Sequence, residues 1–423
     1  MRFTAHTAKS GLCALALIAL TTHCESSSDS DPVGPVTEQD TYTEPNDTTA
    51  TTDTERVVEP LDVRSAALLS ITNQVILPTL SNFVDRTLAL KSATEALKTN
   101  ENEETRAAAQ AAWTDAILVW QQAEVLQVGP AGTSGDVAAG QDLRDGIYSW
   151  NSVNPCRVDQ ETASGAYEDL AEYSKKAVNV QGLDTLEYLL FNSDLANACN
   201  PMSGINSNGT WDALTDVSAK RAAHSAAVAS ILHDRATQLY ALWDPASGNF
   251  AAELSNAGDG SMTYDSAQEA LNALTDALFY AEKTTKDMKM AVPLGISECP
   301  SDTCPDALES LYANKSKEHI RANIVAFQSV FLGGPSGEEH IGIDDILNSV
   351  GAEELSESIS TGLVDSITAL DSIEGTLVTA LEENPGQVQA AFDATRTVMT
   401  LFKTQLMATL NLEVPARAAS DND

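Results

Sequence analysis

Gly182-Leu183-Asp184-Thr185-Leu186-Glu187-Tyr188-Leu189-Leu190-Phe191 places its leucines three and four residues apart, the spacing of one face of a helix. Leu183, Leu186, Leu189 and Leu190 form the side expected to be buried. Asp184 and Glu187 are three apart and share a face. Two carboxylates so placed repel unless they are solvated or share a cation. Such a pair is commonplace on an exposed helix, so the spacing alone does not make a site.

The same helical texture extends in both directions from this segment. Val63–Leu97, interrupted by Pro78, Thr105–Val128 with its stop at Gly129-Pro130, Tyr167–Val178 and Trp211–Leu242 read as helices on the first side. Ser266–Met290, Ala307–Leu332, Gly351–Leu381 and Gln387–Leu410 read as helices on the other. No sustained alternation suggests strands, and no fixed period suggests a solenoid. The expected fold is all-α, with two packed helical bundles over 61–245 and 265–415, a linker or loop over 246–264 and a flexible tail over 416–423.

Across 423 residues, 61 Asp and Glu face 24 Lys and Arg, a formal charge of −37. An apolar content of 43% is enough for a real core, which excludes general disorder. The charge repels phosphate backbones, so nucleic acid is not an expected partner. Arg2 and Lys9 precede a short apolar run from Gly11 to Leu20, the pattern of an export signal. Cys24, followed by Ser26, Ser27, Ser28 and Asp29, is placed like the acylated cysteine of a lipoprotein, although His23 stands where a small residue is usual. Residues 25–60 carry ten acidic side chains and one basic one, Arg56, and read as an extended tether. No later stretch reaches about 20 continuous apolar residues, so a lipid is the expected membrane anchor. The expected location is the cell envelope, in the periplasm or at the outer membrane.

Cys156, Cys199, Cys299 and Cys304 suit an oxidising compartment. Local pairing, Cys156 with Cys199 and Cys299 with Cys304, is the simplest of three connectivities, and a zinc site is the competing reading. No His-Glu-x-x-His, nucleophile elbow or phosphate loop is present. His224 and His233 are nine apart, on opposite helix faces; His319 is solitary, and His340 follows Glu338 and Glu339. Trp113 and Trp120, seven apart, read as core.

The Gly182–Phe191 segment resembles the imelysin signature, Gly-x-His-x-x-Glu followed by an aromatic and apolar run. Further motifs in order resemble the same family: Trp120-Gln121-Gln122-Ala123-Glu124, Leu143-Arg144-Asp145-Gly146-Ile147-Tyr148-Ser149-Trp150, Asn154-Pro155-Cys156-Arg157-Val158-Asp159-Gln160 and Lys289-Met290-Ala291-Val292-Pro293-Leu294-Gly295. The resemblance implies an exported, often lipid-anchored protein of two helical bundles with the signature in a cleft. It also implies either a metal-binding component of iron uptake or a metallopeptidase.

Gly182 and Glu187 match the signature, whereas Asp184 stands at its histidine position. An all-oxygen pair suits a hard cation better than catalytic zinc, which relies on imidazole ligands. Asp184 and Glu187 are therefore the candidate metal ligands, and Glu124, Arg144, Asp145, Asp159 and Gln160 are the other matched polar residues that a shared cleft would collect. The expected function is binding of a metal cation, iron first, in uptake or sensing as part of an iron-transport system. A metal-dependent peptidase and a scaffold whose cleft binds a polymer or protein are the alternatives.

Overall fold

The computed structural model of the protein describes residues 62–415. The expected export signal, Cys24, the expected tether over 25–60 and the expected tail over 416–423 lie outside the described residues. Helix α1, Val63–Thr99, continues through Pro78 because the turn before it, Thr72–Ile76, widens to π-helical form. Proline has no N–H to donate, and its ring crowds the carbonyl one turn back, so a wider turn relieves both conflicts. By length and mean hydropathy α1 meets the criteria for a membrane span. In the fold it is a core helix, with Leu68, Ile71, Phe83, Leu90 and Leu97 buried.

Helix α2, Glu103–Glu124, starts at a capping box in which Asn102 Oδ1 accepts from the Thr105 amide at 3.0 Å and Thr105 Oγ1 accepts from the Asn102 amide at 3.2 Å. Short helices α3, Leu143–Ile147, and α4, Pro155–Ser164, lead to α5, Gly182–Phe191, and the long α6, Val217–Trp243. Helices α1, α2 and α6 pack side by side, and α5 packs against α2 and α6. Trp113 and Trp120 of α2 are buried, as their spacing suggested, and Trp113 Nε1 donates to the Leu183 carbonyl at 2.7 Å, fixing α5 on α2.

The second half supplies α7, Ala267–Tyr280, which widens into a π-helical stretch over Ala281–Ala291, then α8, Ser316–Phe331, α9, Glu353–Asp371, and α10, Pro385–Thr400. Helix α8 lies against both α2 and α9. One apolar core therefore runs through both halves, and the described residues belong to a single compact unit. Each large apolar side chain buried in it contributes about 1.5–3 kcal/mol. No strand occurs among the described residues.

Several expected boundaries shift. Tyr167–Val178 is not one helix: Gly165, at φ 72°, starts a 3-10 turn at Ala166–Glu168, and a single α-turn, Leu170–Tyr173, follows. The 246–264 loop contains a short helix, Phe250–Ser255, whose Glu253 accepts from the amides of Met262 and Thr263 at 2.7 and 2.9 Å. Gly351–Leu381 is divided into α9 and Leu377–Glu383 by a turn through Gly375 at φ 69°. The helix expected from Ala307 begins only at Ser316, because the residues before it are committed elsewhere.

The cysteines pair as local pairing requires. Cys156–Cys199 has its Cα atoms 4.5 Å apart, and Cys299–Cys304 has them 6.0 Å apart. Each closed loop contributes roughly 2–4 kcal/mol, mainly by restricting the unfolded chain. The zinc alternative for these cysteines does not hold.

Candidate functional site

Helix α5 begins at Gly182, where φ is +82° and a Cβ atom would lie 2.6 Å from the Ile147 carbonyl oxygen. Only glycine permits this conformation and this approach. The helix start is thereby seated on the end of α3, and Gly182 through Leu190 are all buried. Asp184 and Glu187 are thus not on a solvated face. They open onto a cleft of about 370 Å³ whose walls include Trp150, Tyr188, Leu311 and Tyr312.

The two carboxylates are held differently. Glu187 Oε1 accepts from Ser310 Oγ at 2.9 Å and from the backbone amides of Tyr312 and Ala313 at 3.0 and 2.9 Å. These bonds explain why residues before Ser316 are not helical, since their amides point at Glu187. Asp184 accepts from the Thr185 amide at 3.1 Å and the Ser149 hydroxyl at 3.4 Å. Both are long for charge-assisted bonds. Burial pushes the Asp184 carboxyl up from 3.8 to about 8, with the Glu187 charge adding to the shift. Burial also raises Glu187, against the pull of its amide and hydroxyl donors and of His319.

Behind the cleft lies a buried polar cluster centred on Glu309 and Lys289. Glu309 Oε1 accepts from Tyr148 Oη at 2.7 Å, Gln121 Nε2 at 2.9 Å and Lys289 Nζ at 2.9 Å, and Oε2 lies 3.1 Å from His319 Nδ1. Lys289 Nζ also donates to Gln121 Oε1 at 2.7 Å and Asn323 Oδ1 at 3.0 Å. Burial alone would raise the Glu309 carboxyl, but the Lys289 ammonium and His319 beside it hold it well below the usual carboxylate range. Glu309 therefore stays ionised, whereas Asp184, lining the same cleft, favours the protonated form.

The other expected site residues divide. Glu124 is fully buried, meets Arg144 at 3.0 Å and lies 3.7 Å from Lys289 Nζ, so both matched residues join the inner cluster. Asp145 is exposed and touches Arg144 at 3.4 Å. Asp159 is buried with Arg221 at 3.2 Å and accepts from Tyr188 Oη at 2.6 Å, anchoring a ring of the cleft wall from behind. Gln160 lies beside the Cys156–Cys199 disulfide and accepts from Arg157 at 2.7 Å. Among the histidines, His224 bonds Thr162 at 2.8 Å and Tyr173 at 2.6 Å, and His233 bonds Thr87 at 3.1 Å. His340 pairs with Glu338 at 3.3 Å.

Sequence reasoning did not single out Glu309, Asn323 or Tyr312. Gln121, Tyr148, Trp150 and Lys289 lay inside matched motifs without a role, and His319 was only a solitary histidine. The missing signal was the non-helical turn at 309–313, hidden in what read as the start of a helix. Among the described residues, no group of three or more His, Cys, Asp or Glu is placed to hold a metal ion.

A sequence profile of the imelysin family matches residues 76–402. Among solved structures, a putative iron-regulated protein A precursor from Parabacteroides distasonis ATCC 8503 superimposes with a TM-score of 0.65 at 17% identity, over 84% of this chain and 97% of that one. An imelysin-like protein from Psychrobacter arcticum 273-4 gives a TM-score of 0.65 at 18% identity, over 84% of this chain and 98% of the other. Among curated proteins none matches. The all-helical fold, the cleft carrying the Gly182–Glu187 signature and the length of the matched profile agree: the chain belongs to the imelysin family.

Proposed function

We propose that the protein binds a metal cation, iron before others, in the cleft at Asp184 and Glu187, and that it serves iron uptake or sensing from the cell envelope. The observation that carries this reading is the burial of two neighbouring carboxylates in an accessible cleft, with Asp184 raised to about 8. A cation entering there replaces the proton and supplies the missing charge compensation. The name of the Parabacteroides structure, a putative iron-regulated protein A precursor, is the ground for putting iron before other metals.

Two protein carboxylates do not complete the coordination shell of a hard cation, which takes six or more oxygens. With no third His, Cys, Asp or Glu grouped with them among the described residues, the remaining ligands arrive with the ion, as water or as a chelator. The same lack leaves a zinc peptidase without its usual three protein ligands. Acylation of Cys24 would anchor the chain, with residues 25–60 as a spacer.

Calorimetric titration of metal-free protein with ferrous, manganous and zinc ions, compared with the Asp184→Ala/Glu187→Ala double variant, tests the reading. Iron or manganese affinity that falls at least about tenfold in the variant supports it. Unchanged affinity, or a preference for zinc accompanied by cleavage of an unstructured protein substrate, rejects it.

A further inference from the structure

We infer that the Cys299–Cys304 disulfide is a redox latch on the cleft wall: closed, it holds the exposed part of that wall in place, and reduction by a dithiol releases it. The inference rests on the cleft as the binding site, the reading proposed above, and adds its regulation. Glu298, just before the disulfide, and Asp306 and Ala307, just after it, line the cleft. Residues 296–298 and 300–302 are exposed, and both cysteines are only half-buried. An attacking thiolate can reach the bond, and exposed disulfides are the labile ones.

The second disulfide provides the contrast within the same chain. Cys199 is buried, and Cys156–Cys199 packs in an apolar cluster with Ile205 and Trp211. It joins residues 43 apart in sequence, against 5 for Cys299–Cys304. Closing a short loop removes less freedom from the unfolded chain, so opening Cys299–Cys304 costs the fold less. The effect of opening it is local.

The base of the loop is held independently of the disulfide. Lys289 Nζ and Glu309 Oε1 pair at 2.9 Å across its two stems, both fully buried. The Ile296 amide donates to the Ala291 carbonyl at 3.0 Å, and Ser310, Tyr312 and Ala313 stay bonded to Glu187. Reduction therefore leaves Glu187 and Glu309 in position and frees the wall between Glu298 and Asp306. In that step a thiolate of the dithiol attacks one cysteine sulfur, the S–S bond breaks and a mixed disulfide forms. The reagent's second thiol displaces the protein sulfur. Two electrons pass to the protein, the reagent closes to its own disulfide, and its two protons end on the Cys299 and Cys304 thiols.

The test treats the full native chain with reduced dithiothreitol, alkylates it and maps the label by mass. Cys299 and Cys304 should be labelled well before Cys156 and Cys199. Trp150, the one tryptophan of five that is not buried, lines the cleft and reports on the wall before any ion is added. Its quenching by acrylamide should rise on reduction, and amide exchange over 298–306 should quicken about tenfold or more while exchange at 312–313 holds. Cys299→Ser/Cys304→Ser, checked for folding by circular dichroism, should show the reduced behaviour with or without dithiothreitol. Its ferrous affinity should be several-fold below that of the oxidised parent, because binding must then order the wall. Equally fast labelling of Cys156 and Cys199 overturns the latch, as does reduction of Cys299–Cys304 with quenching and exchange unchanged, or equal ferrous affinity in parent and variant. Absence of ferrous binding in both rejects the cation reading alone, and the quenching and exchange measurements still decide the latch.

Discussion

Asp184 illustrates how a single side chain can hold a cleft in a state waiting for charge. Its carboxyl is raised from 3.8 to about 8 by burial, so the folded chain binds a proton there that the unfolded chain releases above pH 4. Between these two values the folded state holds more protons, and stability falls as pH rises, levelling off above about 8. Asp184→Asn removes that titration. The variant should lose roughly 3–4 kcal/mol less than the parent between pH 5 and pH 8, measured by denaturant unfolding at each pH. A parallel pH dependence in the two proteins would show that Asp184 is not the titrating group. Glu187 behaves otherwise, because three donors on one of its oxygens make it a fastener for the 310–313 turn as well as a cleft wall.

Among the elements, α5 was the most legible in the sequence. Its boundaries, Gly182 and Phe191, and its leucine face were readable in the sequence, whereas the positive φ and close approach that require glycine at 182 were not. What spacing could not show was that α5 is buried almost all round, because that depends on α2 and α6 closing over it. The 309–313 turn was illegible for a related reason. Its sequence has helical texture, but long-range bonds to Glu187 outweigh local propensity. The inner cluster joins residues as far apart as Gln121 and Asn323, which bond at 3.0 Å across 202 positions, and no local pattern records such a pairing. Gly182→Ala tests the seating of α5. With φ at +82° and a clash at 2.6 Å, it should cost at least about 2 kcal/mol in chemical unfolding and weaken metal binding in parallel. A near-neutral effect on both would mean that α5 can shift freely on α3.

At the scale of the whole molecule, the sequence conveyed the all-α class, the disulfides and the family. The single core that joins both halves emerges only from packing, as α8 rests on α2 and α9 together. That continuity places Glu309 and Glu187 from distant parts of the chain around one cleft. Anchoring belongs to this scale as well. Cys24→Ser should move the protein from the membrane fraction to the soluble one, and retention at parental levels would argue against acylation at that residue. The central claim, that a cation displaces the Asp184 proton, is tested most directly by counting protons during binding. Ferrous titration at pH 7 in two buffers of different protonation enthalpy should show close to one proton released per ion bound, with release lost in Asp184→Asn. Binding without proton release, or release unchanged in Asp184→Asn, would contradict it.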